Sequence, residues 1–227
     1  MPNRHVVVRN IDRPAADVVA RLAEAGVSTV HEAIGRRGFA GTGLRPNQWN
    51  VRMAGPAVTV SSHPGDNLMI HAAVEVCRPG DVLVVTTTSP STDGMFGELL
   101  ATSLAARGVI GLVTGAGVRD TAELRDMGFH VWARSVSAQG TVKASPGSVN
   151  VPVALGGVTV SPGDVVVADD DGVVVVPLAE AEEAAELAEK RLAKEAANRE
   201  VLRSGTLGVD HYGLRARLAD LGVVYQD

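Results

Sequence analysis

This sequence is poor in cysteine, in aromatic residues and in basic charge. Its one cysteine, Cys77, excludes an intramolecular disulfide and a cysteine-based zinc site, and its apolar surroundings predict a buried, inert thiol. Aromatic residues make up only 3%, so the core must be built from Val, Ala and Leu, although 45% of the residues are hydrophobic. The net charge of −5 argues against a nucleic-acid-binding protein, because such proteins usually present a basic face.

The sequence also lacks long apolar runs and several catalytic signatures. No run reaches the ~20 apolar residues that span a membrane, and no apolar stretch typical of a secretory signal follows residues 1–5. The G-x-S-x-G, P-loop and dinucleotide-binding motifs are absent, and no Ser/His/Asp set can be assigned. We expect a cytoplasmic protein that has neither a membrane nor a nucleic-acid partner.

Residues 5–148 show the patterning of a mixed α/β domain. Gly26 is expected to end the first helix, Asp66 to cap the third, and residues 39–52, rich in Gly, Pro and Asn, to form a loop. The predicted strands are 5–9, 56–62, 82–87, 109–114 and 130–136. The predicted helices are 14–25, 28–36, 67–77, 98–107 and 121–127.

The remainder of the chain differs in character. Residues 149–177 contain four short β-branched runs separated by turn residues, which predicts hairpins. Residues 178–203 lack Gly and Pro and predict one long polar helix, whose alanine-rich apolar side cannot bury much surface by itself. We therefore predict a domain over 1–177 and, over 178–227, a helix and tail that contact a neighbouring subunit.

The segment Gly97-Glu98-Leu99-Leu100 is the first candidate for a binding site. Gly97 permits a tight turn before a helix, and the N–H groups of the next three residues lack partners within that helix. Such N–H groups bind carboxylate or phosphate well. Alternatively, the segment is an ordinary loop-to-helix junction in which Glu98 interacts favourably with the helix dipole.

The second candidate is segment 115–120, Gly-Ala-Gly-Val-Arg-Asp. It is predicted to be a loop after a buried strand, where α/β folds usually place ligands. Arg119 can neutralise an oxyanion, and Asp120 can hold a divalent metal ion. Alternatively, Asp120 and Glu123 form a capping box at the start of a short helix, and Arg119 is only a surface residue.

The lengths of the intervening elements place the two candidate segments at one edge. A helix rises ~1.5 Å per residue and a strand ~3.3 Å, so helix 98–107 leads away about as far as strand 109–114 returns. The two segments should therefore lie side by side. A further acidic group, Asp169–Asp171, is followed by glycine and is interpreted as a hairpin turn rather than a metal cluster.

The sequence resembles the RraA-like family, and within it the class II pyruvate aldolases that act on 4-hydroxy-4-methyl-2-oxoglutarate and 4-carboxy-4-hydroxy-2-oxoadipate. The resemblance rests first on G-E-L-L-A at 97–101 and G-A-G-V-R-D at 115–120. Further matching segments are 55–60 (G-P-A-V-T-V), 64–68 (P-G-D-N-L), 79–85 (P-G-D-V-L-V-V) and 205–215 (G-T-L-G-V-D-H-Y-G-L-R). The resemblance extends over nearly the whole chain.

The resemblance implies a fold, an assembly and a role for each residue of the two segments. The fold would be an α/β/β sandwich related to the swivelling phosphohistidine domains, with a C-terminal helical arm, assembled as a trimer or hexamer. Asp120 would ligate Mg²⁺ or Mn²⁺, Glu98 would act through metal-bound water, and Arg119 would contact the keto oxygen of the substrate. The backbone of residues 97–100, chiefly of the two leucines, would hold the substrate carboxylate.

This chain departs from the family pattern at Glu98. The usual residue is an Asp, followed by twenty residues and the Arg-Asp pair, and the glutamate is one methylene longer. Longer aldolase members also place at the site an acid from a neighbouring subunit's C-terminal helix. In this chain the predicted acid is Glu195, with Glu200 as the second choice. Shorter members regulate ribonuclease E and lack this arm, so a non-catalytic regulator that binds a ribonuclease is the alternative function.

The reaction that the resemblance implies is metal-dependent aldol cleavage of a 4-hydroxy-2-oxo diacid to pyruvate and a second keto acid. The same pyruvate enolate arises when oxaloacetate loses CO₂, so oxaloacetate decarboxylation is an expected side activity. No lysine is required, and Lys143 lies in a Gly/Ser/Pro-rich loop rather than in a desolvated pocket. Loops 39–50 and 88–96 are expected to recognise the distal substituent of the substrate.

Overall fold

The computed structural model describes residues 5–226; residues 1–4 and 227 lie outside the described part. The chain divides into two compact units, Met1–Ala188 and Glu189–Asp227. No helix among the described residues is both long enough and apolar enough to cross a bilayer.

The first unit alternates short helices with strands. Its helices are α1 Ala16–Ala33, α2 Leu68–Val74, α3 Glu98–Ala105 and α4 Thr121–Asp126, and α5, Ala181–Arg203, begins in it and ends in the second unit. Its strands are β1 Arg45–Pro46, β2 Met53–Ser62, β3 Val82–Thr87, β4 Gly94–Phe96, β5 Gly111–Val118, β6 His130–Val136, β7 Ser148–Val149, β8 Val153–Leu155, β9 Val158–Val160, β10 Val165–Asp169 and β11 Gly172–Val176.

One nine-stranded sheet organises this unit. Its order is β1-β6-β5-β3-β2-β10-β11, with β4 paired to β5 and β7 paired to β2. The strands β2 to β6 pair in parallel, whereas β10 runs antiparallel to both β2 and β11. Because the central strands are parallel, the carboxyl ends of β4, β5 and β6 meet at the same edge of the sheet.

The alternation of side chains along β3 separates two buried clusters. Leu83 and Val85 pack on the side covered by α2, α3 and α4, whereas Val82 and Val84 pack on the opposite side with the β8–β9 hairpin and β10–β11. The predicted mixed α/β architecture is therefore confirmed, with helices on one face of the sheet and further strands on the other. The predicted likeness to swivelling phosphohistidine domains stays a prediction.

The first helix and the first predicted strand had opposite outcomes. The helix break predicted at Gly26 is confirmed, because φ 76° and ψ 169° there interrupt α1 between two helical halves. The predicted strand 5–9 is wrong. Val7 forms only an isolated bridge with Val149, and its side chain is exposed. The neighbouring strand β7 has only two residues, which is too short to support a longer ladder.

The prediction that β5 ends at residue 114 was also wrong. The strand continues to Val118, and Gly115 and Gly117, which were interpreted as loop residues, lie within it. Gly117 is needed because a Cβ atom there would overlap the carbonyl oxygen of Thr92, on the segment that leads into β4. The short strand β4 was not predicted, and its pairing with β5 is what brings the two backbones so close.

The C-terminal part of the first unit forms two hairpins, as predicted. β8 pairs with β9 and β10 with β11, both antiparallel. The turn Pro162-Gly163-Asp164 is not a hairpin, because β9 and β10 do not pair with each other. Asp164 instead accepts hydrogen bonds from the N–H of Ser161 at 2.7 Å and of Leu178 at 2.9 Å, and so fixes the start of the 3₁₀ turn that leads into α5.

Cys77 is buried as predicted, with 1% of its surface exposed, and burial raises the pKa of its thiol to about 12. Because the thiolate is the reactive species, we expect the folded chain to resist alkylation by iodoacetamide at pH 8. The same reagent should label the chain fully in 8 M urea. Mass spectrometry of the two samples checks this, and equal labelling rates would show that the thiol is accessible in the native state.

The second unit contains the end of α5 and two short helices, α6 Gly208–His211 and α7 Leu214–Asp220. The predicted helix over 178–203 is confirmed as a 3₁₀ turn followed by α5. Within the unit, a ring nitrogen of His211 lies 2.9 Å from Asn198 Oδ1 and ties α6 to α5. Several large apolar side chains of this unit are exposed, namely Leu207, Tyr212, Leu221, Val224 and Tyr225. The contact with a neighbouring subunit stays a prediction.

Candidate functional site

The two candidate segments lie side by side, as predicted. Phe96 at the end of β4 pairs with Val118 at the end of β5, and the N–H of Arg119 donates to the carbonyl oxygen of Phe96 at 2.9 Å. Gly97-Glu98 and Arg119-Asp120 are therefore the first residues beyond two adjacent parallel strands. Direct strand pairing brings them together, and the similar lengths of helix and strand only make this pairing possible.

Asp120 does not cap the helix that follows it. Its backbone has φ 54° and ψ 43°, which is left-handed, and its side chain makes no capping hydrogen bond to α4. Asp120 Oδ2 instead accepts a hydrogen bond from the N–H of Glu98 at 3.1 Å. The capping-box alternative is therefore wrong. A left-handed non-glycine residue at a strand end is a strained position of the kind that clusters at functional sites.

Gly97 is required by the space that Asp120 occupies. Its backbone is extended, with φ −154°, so any residue could adopt its conformation. A Cβ atom at Gly97, however, would overlap Asp120 Oδ2 and lie 3.0 Å from Arg119 Cγ. The tight turn predicted at Gly97 was therefore the wrong reason for this glycine: it leaves room for the Arg-Asp pair.

The first turn of α3 offers two N–H groups. The N–H of Glu98 is bonded to Asp120, so it is less available to a ligand than the sequence suggested. The N–H groups of Leu99 and Leu100 have no acceptor recorded among the described residues. The Leu100 side chain is buried and anchors the turn, whereas that of Leu99 is exposed. Two free N–H groups at a helix start suit one carboxylate.

The charged side chains of the site are only loosely paired with each other. Arg119 Nε lies 3.7 Å from Asp120 Oδ2, and the two side chains are 45% and 39% exposed. Glu98 Oε1 accepts a hydrogen bond from the Thr102 hydroxyl at 2.8 Å. A weak, solvent-exposed ion pair costs little to open, so Arg119 is free to turn toward an anionic ligand.

A depression of about 350 Å³ lies beside the Arg-Asp pair. Arg119 and Asp120 line it together with Val136, the last residue of β6, and with residues 137–138, which follow it. This third segment was not predicted from the sequence, although β6 runs parallel to β5 and its end must reach the same edge. The hydrogen bond from Ser137 N–H to Val118 O, at 2.9 Å, holds the segment in place. The contribution of loops 39–50 and 88–96 to substrate recognition stays a prediction.

The residues at this edge suit a metal ion that keeps part of its water. Over residues 5–226 no three His, Cys, Asp or Glu side chains are grouped so as to enclose an ion. Asp120 supplies one carboxylate, and Glu98 lies on the adjoining helix start. Mg²⁺ typically binds through one or two carboxylates, several waters and oxygens of the substrate, and Mn²⁺ accepts similar oxygen ligands. The donor set therefore fits such an ion.

The acids predicted to come from a neighbouring chain lie in the second unit. Glu195 Oε1 is 2.8 Å from Arg191 Nε, and Glu200 Oε1 is 2.8 Å from Arg203 Nη1. Both pairs lie along α5 within one chain. The choice between these two glutamates, and the role assigned to either, stay predictions.

The acidic group Asp169–Asp171 is a turn, as interpreted. Its three carboxylates each accept a hydrogen bond from elsewhere in the fold, and the donors are, in order, the N–H of Val27, the N–H of Asn50 and the hydroxyl of Ser28. The carboxylates therefore stabilise the packing of the loop and of α1 around the β10–β11 turn.

Comparison with known proteins gives the family. Residues 19–175 match the model of a family described as RraA-like, aldolase/RraA. A Halalkalibacterium halodurans protein named "Putative 4-hydroxy-4-methyl-2-oxoglutarate aldolase" is 30% identical over 169 residues, 74% of this chain and 80% of that protein. A Burkholderia multivorans protein of the same name is 36% identical over 132 residues, 58% of this chain and 80% of that protein.

A solved structure gives a similar result. Streptomyces coelicolor RraAS2, described as an unusual member of the RNase ES inhibitor RraA protein family, is 31% identical. Its structure matches with a TM-score of 0.73, over 83% of this chain and 99% of that chain. The chain described here therefore belongs to the RraA-like family.

Proposed function

We propose that this protein is a divalent-metal-dependent aldolase. Its substrate would be a 4-hydroxy-2-oxo diacid, such as 4-hydroxy-4-methyl-2-oxoglutarate or 4-carboxy-4-hydroxy-2-oxoadipate, and its products pyruvate and a second keto acid. The observation that carries the proposal is the strained Asp120, which is held by the Glu98 N–H beside Arg119 instead of capping its own helix. The names of two relatives at 30% and 36% identity support the same reaction class.

Substrate binding would use the two kinds of positive group at this edge. The free N–H groups of Leu99 and Leu100 would receive the carboxylate next to the keto group. Arg119 would donate to the keto oxygen, whose negative charge increases as the enolate forms. Because both lie beyond adjacent strand ends, a 2-keto acid can contact them together.

Asp120 would hold Mg²⁺ or Mn²⁺ at the keto acid. When bound, such an ion supplies positive charge that stabilises the enolate produced by cleavage. In cleavage the C4 hydroxyl loses its proton, the electrons of the C3–C4 bond move to C3, and C3 then receives a proton to give pyruvate. Glu98, with Glu195 from a neighbouring subunit as a second carboxylate, would carry these protons. The site would thus be complete only in an oligomer, a trimer or a hexamer.

The same enolate follows from oxaloacetate by loss of CO₂, so decarboxylation is a side activity of the proposed site. The test is a lactate-dehydrogenase-coupled pyruvate assay with oxaloacetate and a panel of 4-hydroxy-2-oxo acids. We expect pyruvate release with Mg²⁺ or Mn²⁺, none with excess EDTA, and recovery when the metal is restored. Release that persists in EDTA would remove the metal from the mechanism, and no release from any substrate would remove the aldolase.

A Gly97→Ala variant should lose activity without losing the fold. The added Cβ would displace the Asp120 carboxylate, and a displacement of about 1 Å in a reacting group can cost ~10²-fold in rate. The coupled assay measures this loss, and circular dichroism checks the fold. Gly208→Ala is the matched control, because Gly208 has an ordinary φ and a Cβ atom there would lie no closer than 3.8 Å to the Tyr212 ring. Equal rates for both variants would contradict the packing of Gly97 against Asp120.

The similarity to RraAS2 keeps a second function open to test. That protein is described as a member of an RNase ES inhibitor family, and this chain matches 99% of its length. A regulator of this kind would bind a ribonuclease and turn over no keto acid. Tight binding to a purified RNase E-type catalytic domain, together with no pyruvate from the panel, would favour the regulator over the aldolase.

A further inference from the structure

We propose that Thr102 is a positioning residue that fixes the carboxylate of Glu98 at the strand edge. This inference rests on the proposed function, because it assigns a task to Glu98 within it. The Thr102 hydroxyl donates to Glu98 Oε1 at 2.8 Å, from one turn further along α3. The bond leaves the second oxygen of the carboxylate without a partner recorded among the described residues.

The acceptor of the Thr102 hydroxyl is not the usual one for a threonine inside a helix. A Thr inside a helix commonly donates to the backbone carbonyl four residues earlier, which here is also that of Glu98. The Thr102 hydroxyl donates to the side-chain carboxylate of that residue. Residues four apart face the same side of a helix, so the geometry needs no distortion of α3.

The tether matters because the acid is a glutamate. Compared with an aspartate, the side chain has one more rotatable bond, and freezing rotamers of a flexible side chain costs entropy each time it must act. Thr102 offsets that cost in advance by holding one oxygen. Glu98 is then restrained at two points, its N–H by Asp120 and its carboxylate by Thr102. Glu98 therefore links Asp120, which binds its backbone, to Thr102, which binds its side chain.

The first test compares two substitutions of an exposed residue. Thr102→Val removes the hydroxyl while keeping the shape, and Thr102→Ser keeps the hydroxyl. We expect kcat for pyruvate release to fall about tenfold in Thr102→Val with KM within twofold, because one hydrogen bond to a charged group is lost. Thr102→Ser should stay within twofold of wild type. Ser103→Ala removes a neighbouring exposed hydroxyl of α3 and should change nothing.

A double-mutant cycle separates positioning from a general effect on the helix. In a Glu98→Ala background, Thr102→Val should cause no further loss, because the group that it positions is gone. An equal loss in both backgrounds, or no loss in wild type, would overturn the proposal. Thermal unfolding of each variant shows whether the fold is intact.

A readout without turnover keeps this inference distinct from the proposed function. In crystal structures at about 1.5 Å, we expect one conformer of the Glu98 carboxylate in the wild type and in Thr102→Ser. We expect several conformers in Thr102→Val. A single conformer in all three would overturn the tether even if the protein is an active aldolase. An inactive wild type with an ordered Glu98 would refute the aldolase and leave the tether standing.

Discussion

An Asp120→Asn variant is expected to release pyruvate at least ~10³-fold more slowly than the wild type, and to bind Mn²⁺ more weakly. The change removes the charge that would hold the ion, and such an ion supplies several kcal/mol of transition-state stabilisation. Asparagine tolerates the left-handed backbone of residue 120 and its oxygen can still accept the Glu98 N–H. The loss would therefore report charge rather than structure.

Alanine is the less informative substitution at position 120, because a left-handed conformation costs it ~1–2 kcal/mol of stability. The measurements are kcat in the coupled assay and Mn²⁺ binding by electron paramagnetic resonance. Asp126→Asn, which neutralises an exposed carboxylate at the end of α4, is the matched control and should alter neither kcat nor Mn²⁺ binding. If Asp120→Asn kept more than a third of the wild-type kcat, Asp120 would have a structural role only.

An Arg119→Ala variant should show the second largest effect, a kcat ~10²–10³-fold below wild type. This is the usual loss when one preorganised donor to a developing oxyanion is removed. KM should change less than kcat, because the interaction strengthens as charge develops. The kcat of Arg119→Lys should fall between those of the wild type and Arg119→Ala, since an ammonium keeps the charge but not the planar set of donors.

The fold should tolerate both changes at Arg119. The side chain is 45% exposed and its contact with Asp120 is long, while the hydrogen bond to Phe96 comes from the backbone and is kept by any residue except proline. Arg134→Ala, at an exposed arginine of β6, controls for the loss of one positive charge. Near-normal turnover in Arg119→Ala would show that the keto oxygen is polarised by another group.

The position of the site was predictable from the sequence because it depends on strand direction. Strands β3 and β6 have the bounds that their apolar runs predicted, and parallel pairing makes neighbouring strands end at one edge. The short strand β4 was not predictable in the same way. Gly94-Met95-Phe96 is too brief to show an alternation, and only its pairing with β5 defines it as a strand.

The task of each side chain at the edge was less predictable than its position. The spacing of Asp120 and Glu123 fits a capping box, and only the left-handed backbone shows that the carboxylate points elsewhere. Gly97 could equally have served a turn, since the overlap that excludes a side chain comes from Asp120, which lies beyond the next helix and strand. Such long-range constraints are not contained in local pattern.

Glu98, Arg119 and Asp120 belong to neither of the buried clusters that stabilise the first unit. Under the proposed function, the three side chains can therefore be replaced without removing any residue of these hydrophobic clusters. A lineage could exchange these three side chains one at a time and keep its scaffold, and glycine in place of Asp120 would even relieve backbone strain. The sheet edge, without these three side chains, could then bind another protein. This is a physical route by which one family can contain chains named as aldolases and chains named as ribonuclease inhibitors.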